Sequence, residues 1–323
     1  IMEQQSGMTG WEIMGRAPKP GELGMWATQA IAHGADTIVF FRWRSCAMGT
    51  EQYWHGILPH SGIPGRYYQE IKDFMQRTKP LLKEIQGTVP DTKVGIVFSY
   101  DQNYAIQEQP HHTDMSYIDH LMAYYTALYG RNIPVEFLRD TDDFSKYSLV
   151  IAPLQYLMTP QLEEKYRGYV KDGGRLVLTM RTGVKDENNL CMTDNPLPGG
   201  LKDVLGIEVP EYDCLRETHA YAQWGGTRYR CEKWCDIITA KGAEPLAYYD
   251  SEFYAGTPAV TVNTYGEGKA YYVGTEPSAE LAAKLTDCLI TDCGLTPLGE
   301  TPEGVEIAQR TGDGKDYIFV INH

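Results

Sequence analysis

A carboxylate lies three residues into the chain, in Met2-Glu3-Gln4-Gln5-Ser6-Gly7, and a tryptophan follows at Trp11. Further on come Phe41-Arg42-Trp43-Arg44 and then Gly49-Thr50-Glu51-Gln52-Tyr53-Trp54-His55-Gly56. A carboxylate can attack an electrophilic carbon, and its two acceptor oxygens can grip neighbouring hydroxyls. A tryptophan face packs against the C–H patch of a sugar ring. An arginine beside carboxylates sets their ionisation. Splitting a glycosidic bond with retention needs two carboxyls about 5–5.5 Å apart, one attacking and one protonating. Taken singly, Glu3 reads as a solvated side chain, because exposed glutamate is the norm. Trp11 taken singly reads as a core residue. Only the grouping argues for chemistry.

Three other constellations call for weighing. His111-His112 with Asp114 follows the first strand of a later βα unit, where such folds bind ligands; most loop histidine pairs are merely solvated. Cys231-Glu-Lys-Trp-Cys235 lacks the second ligand pair of a zinc site. Ser99-Tyr100-Asp101-Gln102-Asn103 stands where a nucleotide site would need glycines. No metal and no cofactor is expected.

Around the first group, Pro20-Gly21-Glu22 opens a helix through Ala32, stopped by Gly34. Asp36–Trp43 is a continuous apolar run, predicted as a parallel strand buried on both faces. A helix from about Tyr67 to Ile85 follows. Strand end, helix, strand and helix is how the last quarter of a (β/α)8 barrel reads, with polar residues crowding the ends of its strands. This block covers residues 1–89.

Residues 90–296 read as a second, doubly wound α/β domain. Its strands are expected at Val94–Phe98, Val135–Leu138, Leu149–Ala152 and Arg175–Thr179. Tyr117, Leu121, Tyr124 and Leu128 mark one face of a helix. Another helix spans Gln161–Lys171, ended by Gly173-Gly174. Glu211–Tyr265 turns polar and aromatic, as an insertion or added β layer would, and Tyr265-Gly266-Glu267-Gly268 is a hairpin turn. Residues 297–323 hold a last hairpin, Val305–Arg310 with Tyr317–Ile321. Two strands alone are marginal in water, so it must lean on the second domain or begin a β-domain.

A formal net charge of −14 argues against nucleic acid and anionic membranes as partners and suits a neutral substrate such as a sugar. No apolar run approaches the roughly 18 residues of a membrane span. The seven cysteines are odd in number and scattered, which fits reduced thiols and a cytoplasmic protein better than a disulfide framework.

Four segments in order resemble the late barrel of glycoside hydrolase family 42 β-galactosidases: Met2-Glu3-Gln4, Gln29-Ala30-Ile31-Ala32-His33-Gly34-Ala35-Asp36, Phe41-Arg42-Trp43-Arg44 and Gly49–Gly56. The resemblance runs on through 90–296, which looks like the family's trimerisation domain with a flavodoxin-like sheet, and into the start of its small C-terminal β-domain. It implies that Glu3 ends the seventh barrel strand as the nucleophile of a retaining β-galactosidase. Trp11 would wall the sugar subsite and Glu51 would hold galactose hydroxyls. The family often has a histidine three positions after that glutamate. Trp54 stands there in this chain, so the role falls to Trp54 itself or to His55 one residue later. The family's acid/base glutamate lies on a fourth strand that would precede Ile1, so this chain alone is expected to be inactive. A homotrimer is implied, and Tyr125 and Tyr129, beside the core stripe of their helix, offer rings for an interface, with Tyr166 and Tyr169 raising the same question. At the level of fold the second domain also resembles class I glutamine amidotransferases. Their cysteine elbow is here Thr179-Met180-Arg181-Thr182-Gly183, without a cysteine, so the domain reads as catalytically silent or as an oligomerisation module.

Overall fold

The computed structural model describes residues 1–11, 13–193 and 195–323. It divides into two compact units, Ile1–Asp91 with Leu298–His323, and Thr92–Pro297. Both mix helix and strand. No helix among the described residues is long and apolar enough to cross a membrane.

In the first unit, β1 (Gln4–Gln5) pairs in parallel with β2 (Phe40–Phe41). Helix α1 (Glu22–Ala32) buries Leu23, Ala27 and Ile31, whose spacing by four puts them on one face. Gly34 beyond it holds φ at 107°, the left-handed region glycine enters without strain. Helix α2 (Arg66–Glu84) buries Ile71 and Phe74. The expected strand over 36–43 is much shorter than its apolar run. It has a single neighbour in a two-stranded sheet, and Val39 stays 45% exposed, so it is not buried on both faces.

The terminal hairpin, Val305–Gly312 with Lys315–Asn322, closes on this unit through Ala308, Phe319 and Ile321, which share a core with Ala27, Ile31 and Phe74. Arg310 pins it. Its Nη1 donates to Ile31 O (2.8 Å) and Ala35 O (3.2 Å), Nη2 to Thr88 O (2.6 Å) and Asp36 Oδ1 (2.9 Å), and Nε to Thr88 Oγ1 (3.0 Å). The side chain is only 1% exposed, yet every nitrogen of its guanidinium is bonded.

The second unit is built on one sheet of eleven strands. Its first half runs β3 (Val94–Val97), α3 (Tyr100–Glu108), α4 (Tyr117–Tyr129), β4 (Val135–Leu138), β5 (Leu149–Ala152), α5 (Pro160–Lys171) and β6 (Arg175–Thr179). Then follow α6 (Lys202–Leu205), β7 (Ile207–Cys214), β8 (Ala220–Trp224), β9 (Thr227–Ala240), β10 (Glu244–Tyr249), β11 (Pro258–Tyr265), β12 (Gly268–Val273), β13 (Thr275–Pro277) and α7 (Ala279–Cys293).

Strands β4, β3, β5, β6 and β12 lie side by side and parallel in that order. Numbered along the chain, this is 2-1-3-4-5. Alternate residues enter opposite cores: Leu149 and Ile151 one, Val150 and Ala152 the other. That double burial is why these strands read as unbroken apolar runs. Helix α5 starts at Thr159, whose hydroxyl accepts the Leu162 N–H, with Pro160 in the first turn.

Beyond β12 the sheet continues antiparallel through β11, β10, β8 and β9, with β7 and β13 both on β9. Residues 211–265 therefore extend the same sheet and do not form a separate layer. Tyr166 also corrects an expectation. It is fully buried and donates to Gln155 Oε1 (2.8 Å), which makes it core, and Tyr169 bonds the Tyr147 carbonyl (3.0 Å). Tyr125 and Tyr129 are half-buried and stack on each other, and Tyr125 also stacks on Phe137, itself 49% exposed.

Candidate active site

Strand pairing in the first unit starts ahead of β1. Val39 N–H donates to Ile1 O (3.1 Å) and Gln4 N–H to Val39 O (2.7 Å). Glu3 therefore lies inside the paired stretch, with Gln4 and Gln5 after it, and does not sit at its end. Its side chain is exposed and makes no hydrogen bond among the described residues.

Immediately after β1 the chain is tightly held. Ser6 is fully buried, with Oγ donating to Phe41 O (2.6 Å) and lying 3.1 Å from His55 Nδ1, which accepts the Ser6 N–H at 3.3 Å. Gly7 passes here between the Tyr67 ring and the His55 Cβ. A Cβ on it would sit 3.2 Å from Tyr67 and 3.3 Å from His55, so no larger residue fits without displacement. Burial pushes the His55 pKa down by more than the Phe41 carbonyl and the Glu3 carboxylate raise it, and Arg42 adds to the lowering. His55 is a neutral imidazole near neutral pH.

An open cleft of about 840 Å³ lies beside this cluster, its lining including Thr9, Trp11, Met14, Thr50, Glu51 and Trp54. Trp11 and Trp54 stack on each other in its wall, ring centroids 5.1 Å apart, and Trp11 remains 62% exposed, so it is not a core residue. Arg42 Nη1 donates to Glu51 Oε2 (2.8 Å) and Nη2 to Glu51 O (3.1 Å), which fixes that carboxylate at the rim. Arg44 is exposed and makes no ion pair among the described residues.

The structure thus gathers Trp11 and Glu51 on one cleft. His55 stands behind Trp54, ring centroids 5.1 Å apart, and Glu3 reaches the same cluster through its field on His55. Ser6 escaped the sequence reading, because it carried no signal beyond its place after Gln5. Trp54, which the sequence offered beside His55 for the sugar contact, is the one of the two that lines the cleft and stacks on Trp11. His111, His112 and Asp114 hold no metal-like grouping, and neither do Cys231 and Cys235; no cluster of three or more ligand side chains occurs among the described residues.

Two family models match the chain. One, described as the β-galactosidase trimerisation domain, matches residues 92–296, and one described as β-galactosidase matches residues 1–81. The β-galactosidase BgaA of Clostridium cellulovorans is 35% identical over 325 residues, covering 100% of this chain and 49% of that protein. The β-galactosidase BgaB of a Geobacillus strain is 36% identical over 328 residues, covering 100% of this chain and 48% of the relative. Among solved structures, the β-galactosidase from Bacillus circulans sp. alkalophilus superposes with a TM-score of 0.94 at 35% identity, over 100% of this chain and 49% of that one. A family 42 β-galactosidase from G. stearothermophilus gives 0.95 at 28% identity, over 100% and 48%. The chain spans about half the length of the relatives it matches.

Proposed function

This chain belongs to the β-galactosidases of glycoside hydrolase family 42, and on that premise we propose that the intact protein is a retaining β-galactosidase with Glu3 as its nucleophile. The observation that carries the reading is the cleft. Two stacked tryptophans offer apolar faces to a sugar ring, and Glu51, held by Arg42, offers acceptors to its hydroxyls. The Glu3 carboxylate would attack the anomeric carbon as the glycosidic C–O bond breaks. An acid on a strand outside this chain would protonate the leaving oxygen, and water would then hydrolyse the glycosyl ester. His55, neutral and braced by Ser6, is a further contact to substrate in this scheme.

Residues 1–89 are on this reading the last part of a (β/α)8 barrel. Residues 90–296 are a flavodoxin-like trimerisation domain, for which the 2-1-3-4-5 order of its parallel strands speaks. Residues 297–323 open a C-terminal β-domain. The isolated chain, lacking the acid, would be inactive, and the intact protein a cytoplasmic homotrimer. Trapping with a 2-fluoro-β-galactoside tests the central point. The intact enzyme should carry the sugar on the peptide containing Glu3, and Glu3→Ala should lose turnover by about a thousand-fold or more, with partial rescue by azide. Label on another carboxylate would remove Glu3 from the mechanism. Light scattering tests the trimer.

The second unit favours no hydrolase of its own. Arg181 occupies the position after β6 where an elbow nucleophile would stand, and Cys231 and Cys235 lie elsewhere, on β9.

A further inference from the structure

The same turn after β6 holds a feature that galactoside hydrolysis does not use. Arg181 adopts a φ of 64°, a left-handed conformation that a non-glycine residue keeps only when its surroundings impose it. Here Asp236, 1% exposed, imposes it. Its Oδ2 accepts the Arg181 N–H (3.0 Å) and the Tyr272 hydroxyl (2.7 Å), while Oδ1 accepts Trp234 Nε1–H (2.9 Å). Both carboxylate oxygens are thereby spent on the backbone and on the wall of the cage, and neither bonds the guanidinium.

The side chain of Arg181 is 7% exposed, and none of its nitrogens has a hydrogen-bond partner or ion pair among the described residues; Nε is sealed from solvent as well. Its guanidinium packs 4.8 Å from the ring centres of Tyr212 and Trp234 and 5.8 Å from that of Tyr156. Lys185, 5% exposed, lies 5.4 Å from the Tyr156 ring. Its ammonium donates to Gln109 Oε1 (2.5 Å) and Asn189 Oδ1 (2.8 Å), both neutral. His111 lies between Tyr156 and Trp234, 5.4 and 5.3 Å from their rings, with Nε2 buried and unpartnered. Two buried cations and an idle imidazole nitrogen surround one tyrosine in a chain of net charge −14.

We propose that this cage at the carboxyl end of β6 binds a small oxyanion, a carboxylate or a phosphate, through the Arg181 fork with Lys185 and His111 alongside. Arginine donates in a planar fork and cannot accept, so its missing partner must offer two acceptors in a plane. Aromatic faces offset part of the cost of burying a cation but do not satisfy the sealed Nε–H or give the two terminal nitrogens an acceptor from the protein. The location agrees, because doubly wound sheets bind ligands outside the carboxyl ends of their strands. A group that reaches a guanidinium this buried must be small, which favours a dissolved anion over a second protein chain.

The test uses the intact protein, with calorimetric titration and thermal unfolding in phosphate, sulfate and malonate against chloride at matched ionic strength. At least one oxyanion should bind saturably, one per chain, and raise the unfolding temperature by about 2 °C or more at saturation. Arg181→Gln should weaken that binding by at least about ten-fold, Lys185→Gln should weaken it less, and Arg181→Lys should keep a residue of it. Sulfate and phosphate stabilise many proteins by exclusion, so an equal rise in wild type and Arg181→Gln would overturn the site. Absence of saturable binding by all three anions to wild type would overturn it whether or not any variant folds. A lower assembly mass in Arg181→Gln, with no anion binding in wild type, would also overturn it and assign the fork to a carboxylate of a second copy. None of these readouts depends on Glu3, so failure here leaves the hydrolase reading standing.

Discussion

Arg310 and Arg181 are both buried arginines, one in each unit, and their surroundings are opposite. Arg310 donates to three carbonyls, a hydroxyl and a carboxylate, and joins the terminal hairpin to the end of α1 and the exit of α2. Arg181 donates only its backbone N–H, and its guanidinium faces three aromatic rings. Burying a charge is costly unless it is paired and hydrogen-bonded. A saturated arginine is a staple whose removal orphans its acceptors. An unsaturated one stores a demand for a partner, and its removal orphans little. The same side chain, equally buried, is structural in one place and poised for a ligand in the other.

The contrast breaks first, if at all, at Arg310. Arg310→Met strips the guanidinium from buried Thr88 O and Oγ1 and from Ala35 O, while Ile31 O keeps the Gly34 N–H, and the several lost bonds together cost about 3–5 kcal/mol. Native-state hydrogen exchange of the α1 amides should show that loss. Exchange unchanged from wild type would mean that water replaces the guanidinium and that saturation is no guide to role.

Next in size is Glu51, whose carboxylate is held by Arg42 but half-exposed at the cleft. Surface ion pairs contribute about 0–1 kcal/mol to folding. Charge-assisted bonds to hydroxyls are worth about 1.5–3 kcal/mol, or roughly ten- to two-hundred-fold in rate. Glu51→Ala should therefore lower kcat/KM for galactosides by that factor and barely move the unfolding midpoint. Wild-type kinetics with reduced stability would turn Glu51 from a ligand contact into a staple of the Arg310 kind.

What was legible in the sequence follows the range of the interactions. Pro20-Gly21-Glu22 and Gly34 announce the two ends of α1, and the apolar run Leu149–Ala152 announces a strand of the parallel sheet. Tyr117, Leu121, Tyr124 and Leu128, read as one helix face, are all buried. The antiparallel extension was obscured because its strands are irregular. The register of β10 on β11 shifts twice, and Lys233 inside β9 has a φ of 56°, which breaks the alternation a strand would print. Tyr166 and Tyr125 stand on successive helices with no local sign that one is core and the other at the surface. At the candidate site, the order of the motifs pointed to Glu3, Trp11, Glu51 and His55, of which Trp11 and Glu51 line the cleft, but the sequence could not show that Ser6 braces His55 or that Trp54 lies over Trp11. The Arg181 cage draws on residues 111, 156, 185, 212 and 234. His111 was marked by its pair with His112 after the first strand and the elbow by an arginine where a nucleophile was sought, but the other four are unremarkable in their own segments.

The smallest effect bears on the cage itself. With no carboxylate bonded to the Arg181 guanidinium, His111 should feel that cation, and its pKa is lowered from 6.5 to about 4. Burial is the main cause, followed by Arg181, with Lys185 adding to it and a hydrogen bond to the Gln109 backbone opposing. The folded pKa lies below the unfolded one, so the unfolded chain binds more protons between them. Stability is then fully present above about pH 6.5 and falls as pH drops towards about 4. The ring is only partly buried and its field is screened, which reduces the contribution to about 1–2 kcal/mol. Glu276, whose carboxylate is held below its usual range against burial by His120 and Lys233, loses its share only at lower pH. In chloride, the urea midpoint of the second unit should fall across this window for wild type and fall less for His111→Gln. Parallel curves would mean that His111 titrates normally and that something already neutralises Arg181. Repeating the measurement with a bound oxyanion should flatten the wild-type curve, because an anion between Arg181 and His111 restores the charge that the imidazolium needs.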